Sequence, residues 1–282
     1  MTRLPVLGFI GAGRAAHIIA PALEAAGCRV AVVASRNDAS ATRLAKSLNE
    51  CKTGTLQETA DSAEMVFITT PDDVIPQVVR AVEWRPGQAV VHCSGASTLE
   101  PLEAARTAGA DVGSWHPVQT FTASSGLEVL QDTTIGVEAS GALLATLIDL
   151  ARRVGGLPLD VPPSARPLYH AAAVMACGYI ATLLHEAESL WDAAGLPREA
   201  AHQALGKLAE TTVANARRDG PRAALTGPAA RGDVATVRAH LNSLAAAAPD
   251  TLSVYRALAR RSIAIVGGAA EWDLVLIAPE EV

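Results

Sequence analysis

The chain has 282 residues, a net charge of −6 and 50% hydrophobic residues, with aromatics at only 4%. That length suits two domains and is ample for a large core. The acidic balance, with no basic stripe, excludes a nucleic-acid partner, and no apolar run reaches the roughly 18 residues of a membrane span. The four cysteines, Cys28, Cys51, Cys93 and Cys177, contain no C-x-x-C pair. They read as reduced thiols of a cytoplasmic protein, with Cys28 and Cys51 as packing residues.

The apolar run at 4–10 flows into a glycine turn, which makes it a strand rather than a signal peptide. Its sequel, Gly11-Ala12-Gly13-Arg14-Ala15-Ala16, is a G-x-G-x-x-A turn opening an Ala-rich amphipathic helix that Gly27 ends. In a strand–turn–helix unit the first glycine allows a tight turn, the second lets a pyrophosphate reach the backbone, and the alanine lets helix and strand pack closely. The helix start then offers N–H groups and a positive dipole end to phosphates. Arg14 and Ala15 belong to this expected cofactor-binding turn with Gly11 and Gly13.

A second strand, 29–34, ends at Ser35-Arg36-Asn37. A dinucleotide fold that prefers NAD carries Asp or Glu there for the ribose 2′-OH. Ser35 and Arg36 can instead hydrogen-bond a 2′-phosphate, which favours NADP over NAD. The competing account makes Arg36 a solvated loop charge.

Further strands are expected at 65–70, 89–93, 111–115 and 134–138, alternating with helices at 74–82, 99–108 and 143–154. That alternation predicts an α/β fold, a Rossmann-like doubly wound parallel sheet. Gly155 to Pro167 is rich in proline and glycine and gives the domain boundary. Residues 1–160 form the dinucleotide-binding domain and 161–282 an all-helical second domain for substrate and dimerisation. Its helices are expected at 168–194, 198–218, 233–247 and 251–266.

Several strand ends and loops carry chemistry. Thr70 and Pro71 follow a strand on the cofactor side, and Asp72 or Asp73 reads as a helix cap. His92 is a core histidine or a site residue. Ser94 and Gly95 offer a small hydroxyl and a bare amide to substrate or nicotinamide. His116, fixed by Pro117, either holds a loop or gives a proton near neutral pH. His170 either lines a cleft or is a buried structural residue. In the loop 225–233, Asp233 is a natural N-cap and Thr226 or Arg231 could bind a carboxylate, the other reading of Arg231 being a structural salt bridge. No metal signature and no G-x-S-x-G elbow is present.

The order of domains follows the plan of the 6-phosphogluconate dehydrogenase-like reductases. The glycine turn, Pro71-Asp72-Asp73, His92-Cys93-Ser94-Gly95, His116-Pro117-Val118-Gln119-Thr120-Phe121, Tyr169-His170-Ala171-Ala172-Ala173 and the 226–233 loop together resemble one bacterial Rossmann-like family. Its helical half is catalogued as a domain of unknown function. That family is similar to pyrroline-5-carboxylate reductases, ketopantoate reductases and prephenate dehydrogenases. The resemblance implies NAD(P) chemistry on a small carboxylate-bearing substrate and a homodimer built through the helical domain. One departure is Cys177-Gly178, where family members commonly place Ser-Asn. The stretch 168–194 also has no lysine, which excludes a Lys–Asn mechanism.

The expectation is an NADP-dependent oxidoreductase that reduces a ketone or imine bearing a carboxylate, either ketopantoate-like or a cyclic imino acid. His116 or His170 donates the proton. Ser94, Gly95, His116, Thr226 and Arg231 bind substrate, and Gly11, Gly13, Arg14, Ala15, Ser35, Arg36, Thr70, Pro71 and Ser94 bind NADPH. The alternatives are a dinucleotide-binding sensor without turnover and reduction with a deazaflavin.

Overall fold

The computed structural model describes residues 3–267. The chain divides into two compact units, Met1–Met175 and Ala176–Val282. The tail 268–282, which the sequence assigns to the second domain, lies outside the described residues.

The first unit is built on β1 (Val6–Ile10), α1 (Ala16–Ala25), β2 (Arg29–Ala34), α2 (Asp38–Lys46), β3 (Lys52–Thr53), α3 (Leu56–Asp61), β4 (Met65–Ile68), α4 (Ile75–Arg80), β5 (Ala89–His92), α5 (Glu103–Thr107), β6 (Asp111–Pro117), β7 (Thr134–Glu138), α6 (Gly141–Arg153), β8 (Leu157–Asp160) and α7 (Arg166–Ala176). The strands form one sheet in the order β3-β2-β1-β4-β5-β6-β7-β8. Pairing is parallel from β3 to β6 and between β7 and β8. The β6–β7 pair is antiparallel, so the sheet is mostly parallel, as expected, with one antiparallel pair.

Both faces are covered, which is why β1 and β4 carry no polar side chain. Successive side chains point to opposite faces. Phe9 and Phe67, paired across β1 and β4, stack 5.2 Å apart in the layer that holds Leu23, Leu44, Trp115 and Leu147. Ile10, Val66, Ile68 and Val90 face the other layer with Ile75, Val79 and Leu102. Trp115 is fully buried in the first layer, with its indole N–H donating to the Leu147 carbonyl at 3.2 Å. Strand alternation therefore sends its neighbours Ser114 and His116 to the opposite face.

Three expectations are corrected here. The boundary falls at Met175/Ala176 rather than 160/161, because the proline-rich stretch is not a linker. Leu157–Asp160 extends the sheet, and Arg166 at the start of α7 is fully buried in an ion pair with Glu138 of β7. The single helix expected over 168–194 is interrupted at Cys177, whose φ of −123° and ψ of −80° are not helical. The segment Pro163–Ala193, with a window of mean hydropathy 1.4, is long and apolar enough by composition to cross a membrane, contrary to the reading of the sequence. Its start is committed to the sheet, where Arg166 is fully buried against Glu138 of β7, and its helix is interrupted at Cys177.

The second unit holds α8 (Gly178–Ala193), α9 (Arg198–Asp219), α10 (Pro221–Ala224), α11 (Pro228–Arg231), α12 (Val234–Ala247) and α13 (Pro249–Val266). Its core is Val237, Leu241, Leu244, Leu252, Ala259 and Ile263. Asp233 caps α12 as expected, accepting from the Thr236 N–H at 3.1 Å and hydroxyl at 2.7 Å. Those bonds hold its carboxyl below the usual range.

Candidate functional site

The turn after β1 is fixed by backbone chemistry. The Gly11 N–H donates to the Ala34 carbonyl at 2.8 Å, and the Thr69 hydroxyl donates to the Gly11 carbonyl at 2.8 Å. Gly11 has φ of +108°, and a methyl group on it would lie 2.7 Å from the Thr69 carbonyl carbon. No other residue fits there. Gly13 has nothing within 4 Å of where a methyl would stand, so its backbone is open to a ligand. Ala15, the cap of α1, makes no side-chain cap bond, which leaves the helix start for an anion.

A cavity of about 720 Å³ runs over this turn. It is lined by Gly11 and Gly13, by Ser35 and Arg36 after β2, and by Thr69, Thr70 and Pro71 after β4. Of the residues expected to bind cofactor, Arg14, Ala15 and Ser94 are not among those lining it. Ser40 also lines it, donating to the Ala12 carbonyl at 2.6 Å and so tying α2 to the glycine turn. Asn37 caps α2 by accepting from the Ser40 N–H. Asp38 lines the same cavity, so the adenosine end is not free of carboxylates as the β2 end alone suggested. The residues fit a dinucleotide on two observations: the bare backbone at Gly13, and the Thr70 hydroxyl, whose oxygen is buried without a partner.

A second cluster lies at the ends of β5, β6 and β7 and on α7. Asp72 does not cap a helix. It accepts from the Ser94 hydroxyl at 2.6 Å, and that oxygen in turn accepts from the Ser97 N–H at 2.9 Å. The Ser94 side chain is thus engaged within its own loop. His92 is a satisfied core histidine. Its Nε2–H donates to the Thr98 carbonyl at 2.9 Å and its Nδ1 accepts from the Ser94 N–H at 3.2 Å. Burial, reinforced by the Arg166 charge, lowers its pKa to about 4.

His116 sits on β6 opposite Gly136 of β7. Its Nδ1 and the Tyr169 hydroxyl share a 2.8 Å hydrogen bond, with the rings edge to face at 5.6 Å. His170, from the same turn of α7, stands 6.2 Å from the His116 ring. Both histidines close on Gly95. A methyl there would lie 2.6 Å from His116 Cε1 and 2.7 Å from His170 Cδ2. Arg166 lies beneath, its Nε donating to Glu138 at 2.5 Å and its Nη1 to the Ser94 carbonyl at 3.4 Å, while Nη2 has no partner. Burial, then the neighbouring His170 and Arg166, lower the His116 pKa to about 4. The expected titration near neutrality is therefore corrected: the imidazole is neutral at pH 7.

The structure brings His116, His170 and Gly95 together. Thr226 and Arg231 belong to the second unit, on the loop before α11 and at its last turn. Arg166 and the Tyr169–His116 bond escape sequence reasoning. An arginine between prolines reads as linker, and no spacing rule joins residues 53 apart.

The fold is that of NAD(P)-dependent oxidoreductases, with a mixed Rossmann-like sheet first and helices second. Residues 1–117 match the Rossmann-like domain family and residues 133–262 the domain of unknown function DUF2520, so the chain joins a Rossmann-like domain to a DUF2520 domain. A solved protein of Bacteroides fragilis, provisionally described as an NADP oxidoreductase, is 25% identical over 94% of this chain and 98% of its own, with a TM-score of 0.77. A Thermotoga maritima protein is 22% identical over 93% of this chain and 98% of its own, at 0.71. The 1-pyrroline-5-carboxylate reductase of Streptococcus pyogenes shares the fold at 14% identity, over 94% of this chain and 100% of its own, at 0.63. No curated protein matches the sequence significantly.

Proposed function

We propose that the chain is an NADP-dependent reductase of a small ketone or imine that carries a carboxylate. The observation that carries this reading is the single cavity lined by the glycine turn, by Ser35 and Arg36, and by Thr70 and Pro71. The likeness in fold to a 1-pyrroline-5-carboxylate reductase and to an Aspergillus terreus reductive aminase solved with NADPH supports it.

The residues divide the work. Gly11, Gly13 and the N–H groups at Arg14 and Ala15 hold the pyrophosphate. Ser35 and Arg36 take the 2′-phosphate, outweighing the exposed Asp38 by direct hydrogen bonding. Thr70 satisfies its buried hydroxyl on the ligand. A bound reduced nicotinamide supplies a hydride. The neutral His116 and its neighbour His170 orient the carbonyl or imine nitrogen beside Gly95, with Ser94 shaping that loop through Asp72. An iminium substrate needs no proton from the protein, whereas a ketone does. Thr226 or Arg231 binds the carboxylate.

The helical unit makes a homodimer in this reading. Ile180, Leu183, Leu184 and Ala187 of α8 with Leu205 and Leu208 of α9 line an apolar groove of about 350 Å³, a surface suited to a second copy.

Two measurements test the function. Thermal stabilisation by NADPH is expected to exceed that by NADH at equal concentration, and the reverse order overturns the roles of Ser35 and Arg36. Oxidation of NADPH is expected with at least one member of a panel of 2-keto acids and cyclic imino acids. Tight NADPH binding with no turnover across the panel makes the chain a dinucleotide sensor instead.

A further inference from the structure

The His116–Tyr169 contact is made possible by two absences of side chain. Gly136 faces His116 across the antiparallel β6–β7 pair, where any other residue would place its side chain beside the imidazole. A methyl on Gly136 would lie 2.4 Å from the Tyr169 hydroxyl. That hydroxyl occupies the vacated space and reaches Nδ1 at 2.8 Å. On the other edge of the ring, Gly95 admits Nε2 and Cε1. Nε2 has no bond among the described residues and is not among the buried unpartnered atoms, so it is open to a ligand. One ring nitrogen is held from α7 and the other is left free.

We propose that Tyr169 acts through His116 as a proton relay, donating its hydroxyl hydrogen to Nδ1 and so presenting Nε2–H to the substrate's oxygen or nitrogen. The relay rests on the reductase reading only for the identity of the acceptor. When the acceptor takes the proton, its new O–H or N–H bond forms as the Nε2–H bond breaks. The Tyr169 O–H bond breaks as Nδ1–H forms. The imidazole ends neutral as the other tautomer, and the negative charge rests on the Tyr169 oxygen until solvent returns a proton. No imidazolium forms at any point, which matters because a neutral imidazole losing a proton by itself is a very weak acid. Burial keeps Tyr169 above its usual pKa, against a smaller lowering by Arg166, so it remains a donor throughout the physiological range. The groups that face His116 are Tyr169, His170 and Arg166 from α7, His92 from β5, and Asp72 from the turn after β4. Tyr169 is a positioning residue, since it touches the imidazole rather than the substrate.

Ring-nitrogen NMR of the ¹⁵N-histidine-labelled full-length protein at neutral pH reads the tautomer without any turnover. Nε2–H is expected in the wild type and a mixture of tautomers in Tyr169→Phe. Gly136→Ala, which keeps the phenol but displaces it, is expected to reproduce that mixture should Tyr169→Phe fold poorly. With NADPH, Tyr169→Phe is expected to slow a ketone substrate by about a hundredfold, in the range of general acid catalysis, and to leave a preformed iminium substrate nearly unchanged. Nδ1–H in the wild type overturns the relay, as does unaltered ketone turnover in Tyr169→Phe. Absence of turnover on every substrate overturns the reductase reading, while the ring-nitrogen result still decides whether Tyr169 sets the tautomer.

Discussion

Gly95 is the residue on which the histidine cluster turns. Gly95→Ala forces the His116 and His170 rings apart by several tenths of an ångström, since the new methyl would meet them at 2.6 and 2.7 Å. Overpacking of this kind costs roughly 1–3 kcal/mol. Denaturant titration is expected to show that loss, with NADPH affinity preserved because Gly95 does not line the cofactor cavity. Equal stability and equal tautomer spectra would mean the rings are not closed on this glycine. His92 and His116 also set a pH dependence. Both fall from 6.5 to about 4 on folding, so between those values the unfolded chain binds more protons than the folded one. Their contribution is present above pH 6.5 and is lost as pH falls toward 4. The denaturation midpoint is expected to drop across that window and to drop less in His116→Gln. An unchanged slope in the variant would remove His116 as a source. At this scale the sequence shows which segments carry polar groups at strand ends, but not their partners. That Asp72 meets Ser94 rather than a helix N-terminus depends on the pairing of β4 with β5, and no local spacing reveals it.

The attachment of α7 to the sheet includes one buried ion pair, beside the Tyr169–His116 hydrogen bond. Arg166 is fully buried and Glu138 nearly so. Removing one partner of such a pair leaves a bare charge and costs about 3–5 kcal/mol, whereas an apolar pair of similar volume can be neutral. Arg166→Ala is expected to lower the unfolding midpoint of the first unit strongly, and the double variant Arg166→Met with Glu138→Leu to recover most of it. If Arg166→Ala is silent, α7 is held by its apolar contacts instead. Strand and helix periodicity made the sheet, α1, α6, α9, α12 and α13 legible, because long amphipathic or wholly apolar runs leave few alternatives. Among the short pieces, α4 and α5 were expected, but the edge strands were not legible. β3 has two exposed residues, and β8 reads as turn because Pro158 lies within it and Pro162 and Pro163 follow it. Both exist only because a neighbouring strand offers free backbone groups. The interruption at Cys177 is equally invisible, since the apolar pattern continues through it.

For the molecule as a whole, the helical unit exposes large apolar side chains along α8 and α9 among the described residues. Leu208 is 64% exposed and Val213 50% exposed on α9, while Leu183 on α8 is 38% exposed. The unit's buried core lies elsewhere, around α12 and α13, so these side chains contribute little to its folding. A second copy laid on the α8–α9 groove would bury them and gain roughly 25 cal/mol for each Å² of apolar area covered. Leu208→Glu places a charge in the middle of that surface. In a dimer the charge would be desolvated without a partner, at a cost large enough to shift association by orders of magnitude. In a monomer it would stay in water and change little. Light scattering during size-exclusion chromatography is therefore expected to give twice the chain mass for the wild type and the chain mass for Leu208→Glu. Dimer formation also predicts a melting temperature that rises with protein concentration, because association favours the folded form, and this dependence is expected to vanish in the variant. A wild type that runs at the chain mass, or a variant that still dimerises, removes the α8–α9 groove as the interface.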